Sequence, residues 1–395
     1  MNNFEFYAPT KVIFGKGVEA NVGREIKAWG GTKALLHYGG RSARESGLLG
    51  RVEQSLAAAG VGCVALGGVV PNPRLALVRQ GADLCRREHV DFILAVGGGS
   101  VIDSGKAIAL AFANPDTDIW AIYERKSQPR ACLPVGAVLT IAAAGSETSM
   151  SSVITNEDGW LKKGYGHDLI RPKFAFMNPE LTYTLPPYQT AAGVVDIMMH
   201  TLERYFGADR GNEMTDRIAE QVLRNTIRYG RVCLQDPANY KARSEIMWAG
   251  SLSHNQLTGL GSRGDFASHQ LEHELGGMFD VTHGAGLAAV WGWWARYVVK
   301  EDVNRFVQYA LNVWDCVLDP VDPLATALEG IARTEEYFVA LGMPVNLAQL
   351  GVGKLTETQL DELAVKCTYF GHRTIGALKA LGVEDIKAVY RLANA

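Results

Sequence analysis

The chain is expected to fold as two domains: an α/β N-terminal doubly wound (Rossmann-like) domain, then an all-α C-terminal domain. Three observations predict this. At 395 residues the chain is two to three times the usual domain length of about 150. Up to about residue 184, short apolar runs rich in β-branched residues alternate with helix-length amphipathic segments, as repeated β-α-β units require. Past the pair Pro186-Pro187, strand-like runs nearly vanish while helical periodicity continues to the end. The boundary is placed there, giving residues 1–185 and 186–395.

In chain order, Ala34 to Tyr38, Gly62 to Leu66, Phe92 to Val96 and Pro134 to Leu139 read as strands. Between them, Pro73 to His89 sets Leu75, Val78, Ala82 and Cys85 at helical spacing, enough to cover one sheet face. The short run Val12-Ile-Phe14 fits either an internal hairpin or pairing with its counterpart in a homodimer. Beyond the boundary, helices are expected over Ala191 to Phe206, Thr215 to Tyr229 and Val383 to Ala393.

Composition narrows the function. With 47% apolar and 21% charged residues, the make-up is that of a soluble globular protein. A balance of 39 basic against 42 acidic residues, with no Lys/Arg block, argues against nucleic acid or an anionic membrane and for a small-molecule substrate. The six cysteines form no C-x-x-C pair and frame no disulfide scaffold, which suits a reducing cytoplasmic compartment. The N-terminus lacks the features of an export signal. The longest apolar stretch, Ala131 to Gly145, is short and contains Pro134, so no membrane segment is expected.

The strand Phe92 to Val96 runs into Gly97-Gly98-Gly99-Ser100 and then a helical segment. Bare backbone N–H groups and a positive helix end could there face a pyrophosphate. The G-x-G-x-x-G fingerprint fails at Ile102, and the P-loop pattern fails at Ser100 and Ala107. The alternative is a plain strand-to-helix turn with Ser100 and Asp103 as a capping box. A second loop, Tyr38-Gly39-Gly40-Arg41-Ser42, has no carboxylate for a ribose 2′-hydroxyl. Arg41, Ser42 and Arg44 suit a 2′-phosphate, favouring NADP(H) and leaving NAD(H) open.

In the helical half, Asp196 and His200 sit one turn apart on one helix face, and His269 and His273 repeat that spacing. His283 follows close enough to fold back on them. Imidazoles with one carboxylate and no thiolate suit a single divalent metal, Fe(II) or Zn(II). Gln270 stands where a zincin would need its glutamate, so protease chemistry is disfavoured. His167 and His254 have no partner at ligand spacing and read as structural or surface residues.

Together these stretches resemble the iron-containing (group III) alcohol dehydrogenases of the dehydroquinate synthase-like superfamily, nearest the NADPH-dependent aldehyde reductase and butanol dehydrogenase branch. The resemblance is carried by Pro71-Asn-Pro-Arg74, Gly97 to Lys106, Gly145-Ser-Glu147, Asn178 to Pro187, Gly193-Val-Val-Asp196 with His200, Ser268 to Leu275, and His283-Gly284. It implies a dehydroquinate synthase-like architecture in which Asp196, His200, His269 and His283 bind the metal and His273 stands beside nicotinamide and substrate. It further implies that Gly97, Gly98, Gly99 and Ser100 hold the pyrophosphate. Asp103, Thr140, Ser146 and Lys162 would line the nucleotide cleft, and Gly40 and Ser42 would face the adenosine ribose.

Three places depart from the family pattern: Ala144 where threonine is usual, Asn178 for the commoner aspartate, and the bulky Val290-Trp-Gly-Trp-Trp294, which either narrows the pocket or is core. The expected reaction is hydride transfer between NADP(H) and small or medium aldehydes or primary alcohols, in a cleft between the two domains. Two rivals stand beside it: a metal-dependent lyase of the same superfamily, and a nucleotide-binding protein without turnover.

Overall fold

The computed structural model describes residues 1–209 and 212–394. The chain divides into two compact units, Tyr7–Leu185 and Pro186–Ala395 together with Met1–Phe6. The expected first domain therefore loses its opening six residues. They belong to the helical unit, where the Asn2 N–H donates to the Gly261 carbonyl at 3.1 Å.

The first unit is built on a six-stranded, all-parallel sheet in the order β1-β8-β5-β4-β2-β3. The strands are β1 (Lys11–Phe14), β2 (Lys33–Tyr38), β3 (Gly62–Leu66), β4 (Phe92–Gly97), β5 (Val135–Leu139) and β8 (Phe174–Met177). A separate antiparallel hairpin joins β6 (Ser151–Asn156) to β7 (Leu161–Gly166). In the central strands side chains alternate between two cores. Ala34, Leu36, Phe92, Leu94 and Val96 meet helices Val22–Ala28 and Leu48–Ala58 on one face. Leu35 and Ile93 meet helices Leu75–Glu88 and Gly99–Ala113 on the other. Burial on both faces is why β4 reads as a continuous apolar run.

The four expected strands are present to within a residue at each end. The strands β1 and β8 have only four residues each, too few to display a period, and the hairpin is polar. Val12 to Phe14 forms no internal hairpin: β1 runs parallel to β8, Lys11 opposite Phe174.

In the second unit the helix over Pro187–Tyr205 is buried almost continuously from Thr190 onward and is the central element. Around it lie helices Glu213–Gln235, Tyr240–His254, Ala267–Phe279 and His283–Val298, with Val303–Trp314, Pro323–Ala340, Glu357–Cys367 and Val383–Ala393 completing the bundle. Pro187 starts the central helix because its fixed φ suits a first helical turn that has no N–H partner. Trp291 and Trp294 are core, edge-on to Tyr309, Phe338 and Phe206 at 6.2 to 6.3 Å, while Trp293 donates to the Val345 carbonyl at 2.9 Å. Among the described residues no helix is long and apolar enough to cross a membrane.

Candidate functional site

Adjacent strands β2 and β4 send their following helices to opposite faces of the sheet, Leu48–Ala58 to one and Gly99–Ala113 to the other. A crevice opens at such a switch point, at the carboxyl ends of the strands. Both sequence-predicted loops leave from it, since Tyr38 pairs with Val96 and Gly39 and Gly97 follow directly. A Cβ on Gly97 would come within 2.5 Å of Val101, so the turn into the helix needs glycine there. The helix begins at Gly99 with no side-chain cap.

The capping-box alternative fails. Asp103 accepts instead from Ser146 Oγ at 2.5 Å and from the Val153 N–H at 2.9 Å, so these two expected cleft residues bond to each other. Lys106, fully buried, donates to the carbonyls of Ser146, Ser149 and Ser151 at 2.7, 3.1 and 2.7 Å and so fixes the segment after β5. Burial lowers its pKa to about 8 against the attraction of Asp103 and Glu147. Thr140 extends the ladder, its N–H donating to the Gly97 carbonyl at 3.1 Å. Lys162 sits on β7 opposite Thr155, and the Thr155 N–H donates to Pro73 at 2.8 Å, so the Pro71–Arg74 stretch holds the hairpin. Gly40 and Ser42 are exposed beyond β2, Ser42 opening a one-turn helix. Arg44 is engaged locally, donating to the Tyr38 hydroxyl at 2.6 Å. Ala144 lies against the turn: a Cβ on Gly99 would be 3.7 Å from its own.

In the helical unit, three imidazoles converge on one carboxylate. The Nε2 atoms of His200, His269 and His283 lie 3.4, 3.8 and 3.7 Å from Asp196 Oδ1. That oxygen and His269 Nε2 are buried without a hydrogen-bond partner among the described residues, an arrangement that is costly unless a cation fills it. Ligand atoms of Asp196, His200 and His269 lie within 4.8 Å of one another, which fits a single ion held by nitrogen and oxygen donors. His273 stands beside the cluster, its ring 6.4 Å from His269 and 6.0 Å from His283.

Local sequence explains the convergence. Asp196 and His200 share a helix face. Phe266 at φ +56° and Asp280 at φ +52° bound the helix that carries His269, and His283 opens the next helix three residues later. Gly284 lets that helix start closely against Ala192: a Cβ there would lie 2.0 Å from the Ala192 carbonyl oxygen.

Two glutamates escaped the sequence reading. Glu203, fully buried, accepts from His269 Nδ1 and from the His269 backbone N–H, and Glu272 accepts from His283 Nδ1. Each ties Nδ1 of its histidine and turns Nε2 toward the centre. The signal was present, because each glutamate follows a histidine of the cluster by three residues, His200 and His269, and grips the next cluster histidine along the chain. Burial opposes charge on His269, but Glu203 and Asp196 outweigh it and raise its pKa to about 9. Burial and the neighbouring His254 hold His200 well below the usual imidazole range. His254 is not an isolated residue; its ring packs against that of His200, centroids 3.9 Å apart and planes tilted by 37°.

An α/β unit with a glycine turn at its switch point and a helical unit with a three-imidazole, one-carboxylate centre define a metal-dependent nucleotide oxidoreductase. Residues 9–179 match the iron-containing alcohol dehydrogenase model, and residues 190–394 match the Fe-containing alcohol dehydrogenase C-terminal model. The chain is 40% identical to NADH-dependent butanol dehydrogenase A of Clostridium acetobutylicum, covering 99% of each chain. It is 35% identical to the NADPH-dependent aldehyde reductase YqhD of Escherichia coli over the whole of both. The solved NADH-dependent butanol dehydrogenase A of Thermotoga maritima superposes with a TM-score of 0.95 at 33% identity, covering 100% of this chain and 99% of the other. The chain belongs to the iron-containing alcohol dehydrogenase family, whose chemistry uses a nicotinamide cofactor and a divalent metal.

Proposed function

We propose that the protein reduces small and medium aldehydes to primary alcohols, reversibly, with NADP(H) as preferred cofactor and Fe(II) or Zn(II) held by Asp196, His200, His269 and His283. The observation that carries this reading is the buried Asp196 Oδ1 with three Nε2 atoms around it and no hydrogen-bond partner among the described residues. A divalent ion held there is a Lewis acid for the substrate oxygen, favouring the deprotonated alcohol in one direction and a polarised carbonyl in the other. Asp196 is the one anionic donor, so the site keeps net positive charge. Glu203 and Glu272 fix the ring orientation of two donors. His273, whose ring lies 6.0 Å from that of His283, would pass a proton at its ring nitrogen to or from the substrate oxygen.

Gly97, Gly98, Gly99 and Ser100 would take the pyrophosphate on their N–H groups. Asp103, Thr140, Ser146 and Lys162 would shape the nicotinamide end, and Gly40 and Ser42 the adenosine ribose. Relatives are named for both cofactors. NADP(H) is favoured because the loop from Gly39 to Arg44 carries two arginines and no carboxylate. A homodimer is supported by β1, whose outer edge has no partner strand among the described residues. Six free cysteines suit a reducing, cytoplasmic setting.

The test is a panel of straight-chain aldehydes assayed with NADPH and with NADH, on chelated protein and on protein reloaded with Fe(II) or Zn(II). We expect turnover only after reloading, with kcat/KM for NADPH about tenfold or more above NADH, a difference of roughly 1.4 kcal/mol. Equal efficiency with NADH would overturn the cofactor preference, and full activity in the chelated protein would overturn the metal assignment.

A further inference from the structure

The three donor histidines are not held alike. Nδ1 of His269 and of His283 each meets a glutamate, whereas Nδ1 of His200 is buried with no hydrogen-bond partner among the described residues. A ligand ring normally has its second nitrogen tied, which fixes both tautomer and orientation. Something else must set the His200 ring. It is packed between two other imidazoles, His254 with centroids 3.9 Å apart and His269 at 4.3 Å.

His254 is itself fixed. Arg204 Nη2 donates to His254 Nδ1 at 2.8 Å; a guanidinium can only donate, so Nδ1 accepts and the ring proton of neutral His254 lies on Nε2. The other terminal nitrogen, Nη1, donates to the His200 carbonyl at 2.7 Å and to the Ser253 carbonyl at 3.0 Å. One guanidinium thus straps the backbone of the ligand, the backbone just before His254, and the His254 ring.

We infer that His254, held by Arg204, is a positioning residue that orients the metal ligand His200 by close packing of its tilted ring, in place of the carboxylate the other two ligands have. The inference rests on the metal reading above. It is tested by Co(II) titration of chelated wild type, His254→Ala and His254→Phe, reading affinity by chelator competition and geometry from the visible absorption of bound Co(II), with thermal unfolding of each metal-free protein as a check on folding. Loss of the ring in His254→Ala should weaken Co(II) about tenfold or more and alter its spectrum. His254→Phe keeps a flat ring and should stay within about threefold of wild type with the spectrum retained. An unchanged His254→Ala would overturn the inference, as would a His254→Phe as weak as His254→Ala, which would assign the effect to a ring nitrogen. Wild type that binds no Co(II) would overturn the metal reading itself, and the inference with it.

Discussion

The side-chain amide of Asn178 donates to a carboxylate oxygen of Glu19 at 3.1 Å, and both residues are 3% exposed. Asn178 Oδ1 meanwhile accepts the Glu180 N–H and caps the short turn after β8. The capping role is one aspartate could fill; the bond to Glu19 is not. Asn178→Asp sets two buried carboxylates against each other, and we expect a loss of about 1–3 kcal/mol at pH 8. Adding Glu19→Gln should restore most of it. Urea unfolding of the single and double variants checks both, and an Asn178→Asp protein as stable as wild type at pH 8 would show that the amide bond contributes nothing.

Metal removal gives a second expectation. A ligand that binds only the folded chain stabilises it by roughly 4 kcal/mol at a thousandfold excess over Kd. Chelated wild type should therefore unfold several degrees below protein saturated with Fe(II) or Zn(II). Asp196→Asn removes the one anionic donor and should abolish that shift. Glu203→Gln leaves the donor set intact but loosens His269, and should bind metal about 10- to 100-fold more weakly. Calorimetry with and without metal reads both. An Asp196→Asn protein that keeps the full shift would place the ion elsewhere.

His37 sets a pH dependence in the first unit. Its ring lies wholly buried beneath the sheet, Nδ1 donating to the Leu66 carbonyl at 3.0 Å and Nε2 accepting from Ser104 at 2.9 Å. Burial lowers its pKa from 6.5 to about 4 despite the backbone bond. Between those values the unfolded chain holds a proton that the folded chain does not, so stability falls as pH drops from 6.5 to 4. At 1.36 kcal/mol per unit the contribution is about 3 kcal/mol. His37→Gln should be less stable at pH 7 but should lose less on acidification over that window. Equal slopes for the two proteins, from denaturant unfolding at several pH values, would remove His37 as the cause.

Much of this architecture is visible in the sequence, and the physical reason differs by element. The strands β2, β4 and β5 show because burial on both faces makes them nearly uninterrupted apolar runs, β3 shows by its composition although it is a largely exposed edge strand, and Asp196 with His200 shows because four residues is about one helical turn. Strands β1 and β8 stay hidden, since four residues are too few to display a period and their mutual pairing, more than 150 residues apart in the chain, leaves no local signature. The inward aim of His283 is equally non-local, resting on a glutamate from the preceding helix. Spacing alone leaves His269 and His273 equivalent; in the structure Glu203 grips the His269 ring, whose Nε2 lies 3.8 Å from Asp196 Oδ1.

Gly284 offers the sharpest separation of backbone from ligand chemistry. It contributes no donor, yet a Cβ there would press on main chain, 2.0 Å from the Ala192 oxygen and 2.7 Å from its carbonyl carbon, where no rotamer change can relieve the contact. Gly284→Ala must push the start of the His283 helix away from the helix that carries Asp196 and His200. The expected result is a protein destabilised by about 1–3 kcal/mol that binds metal more weakly through displacement of His283, while Asp196, His200 and His269 remain. Gly284→Ala combined with His283→Ala should then bind metal no worse than His283→Ala alone, because the glycine acts on affinity only through that histidine. Additive losses in the double variant, measured by chelator competition, would show instead that the substitution disturbs the remaining three ligands.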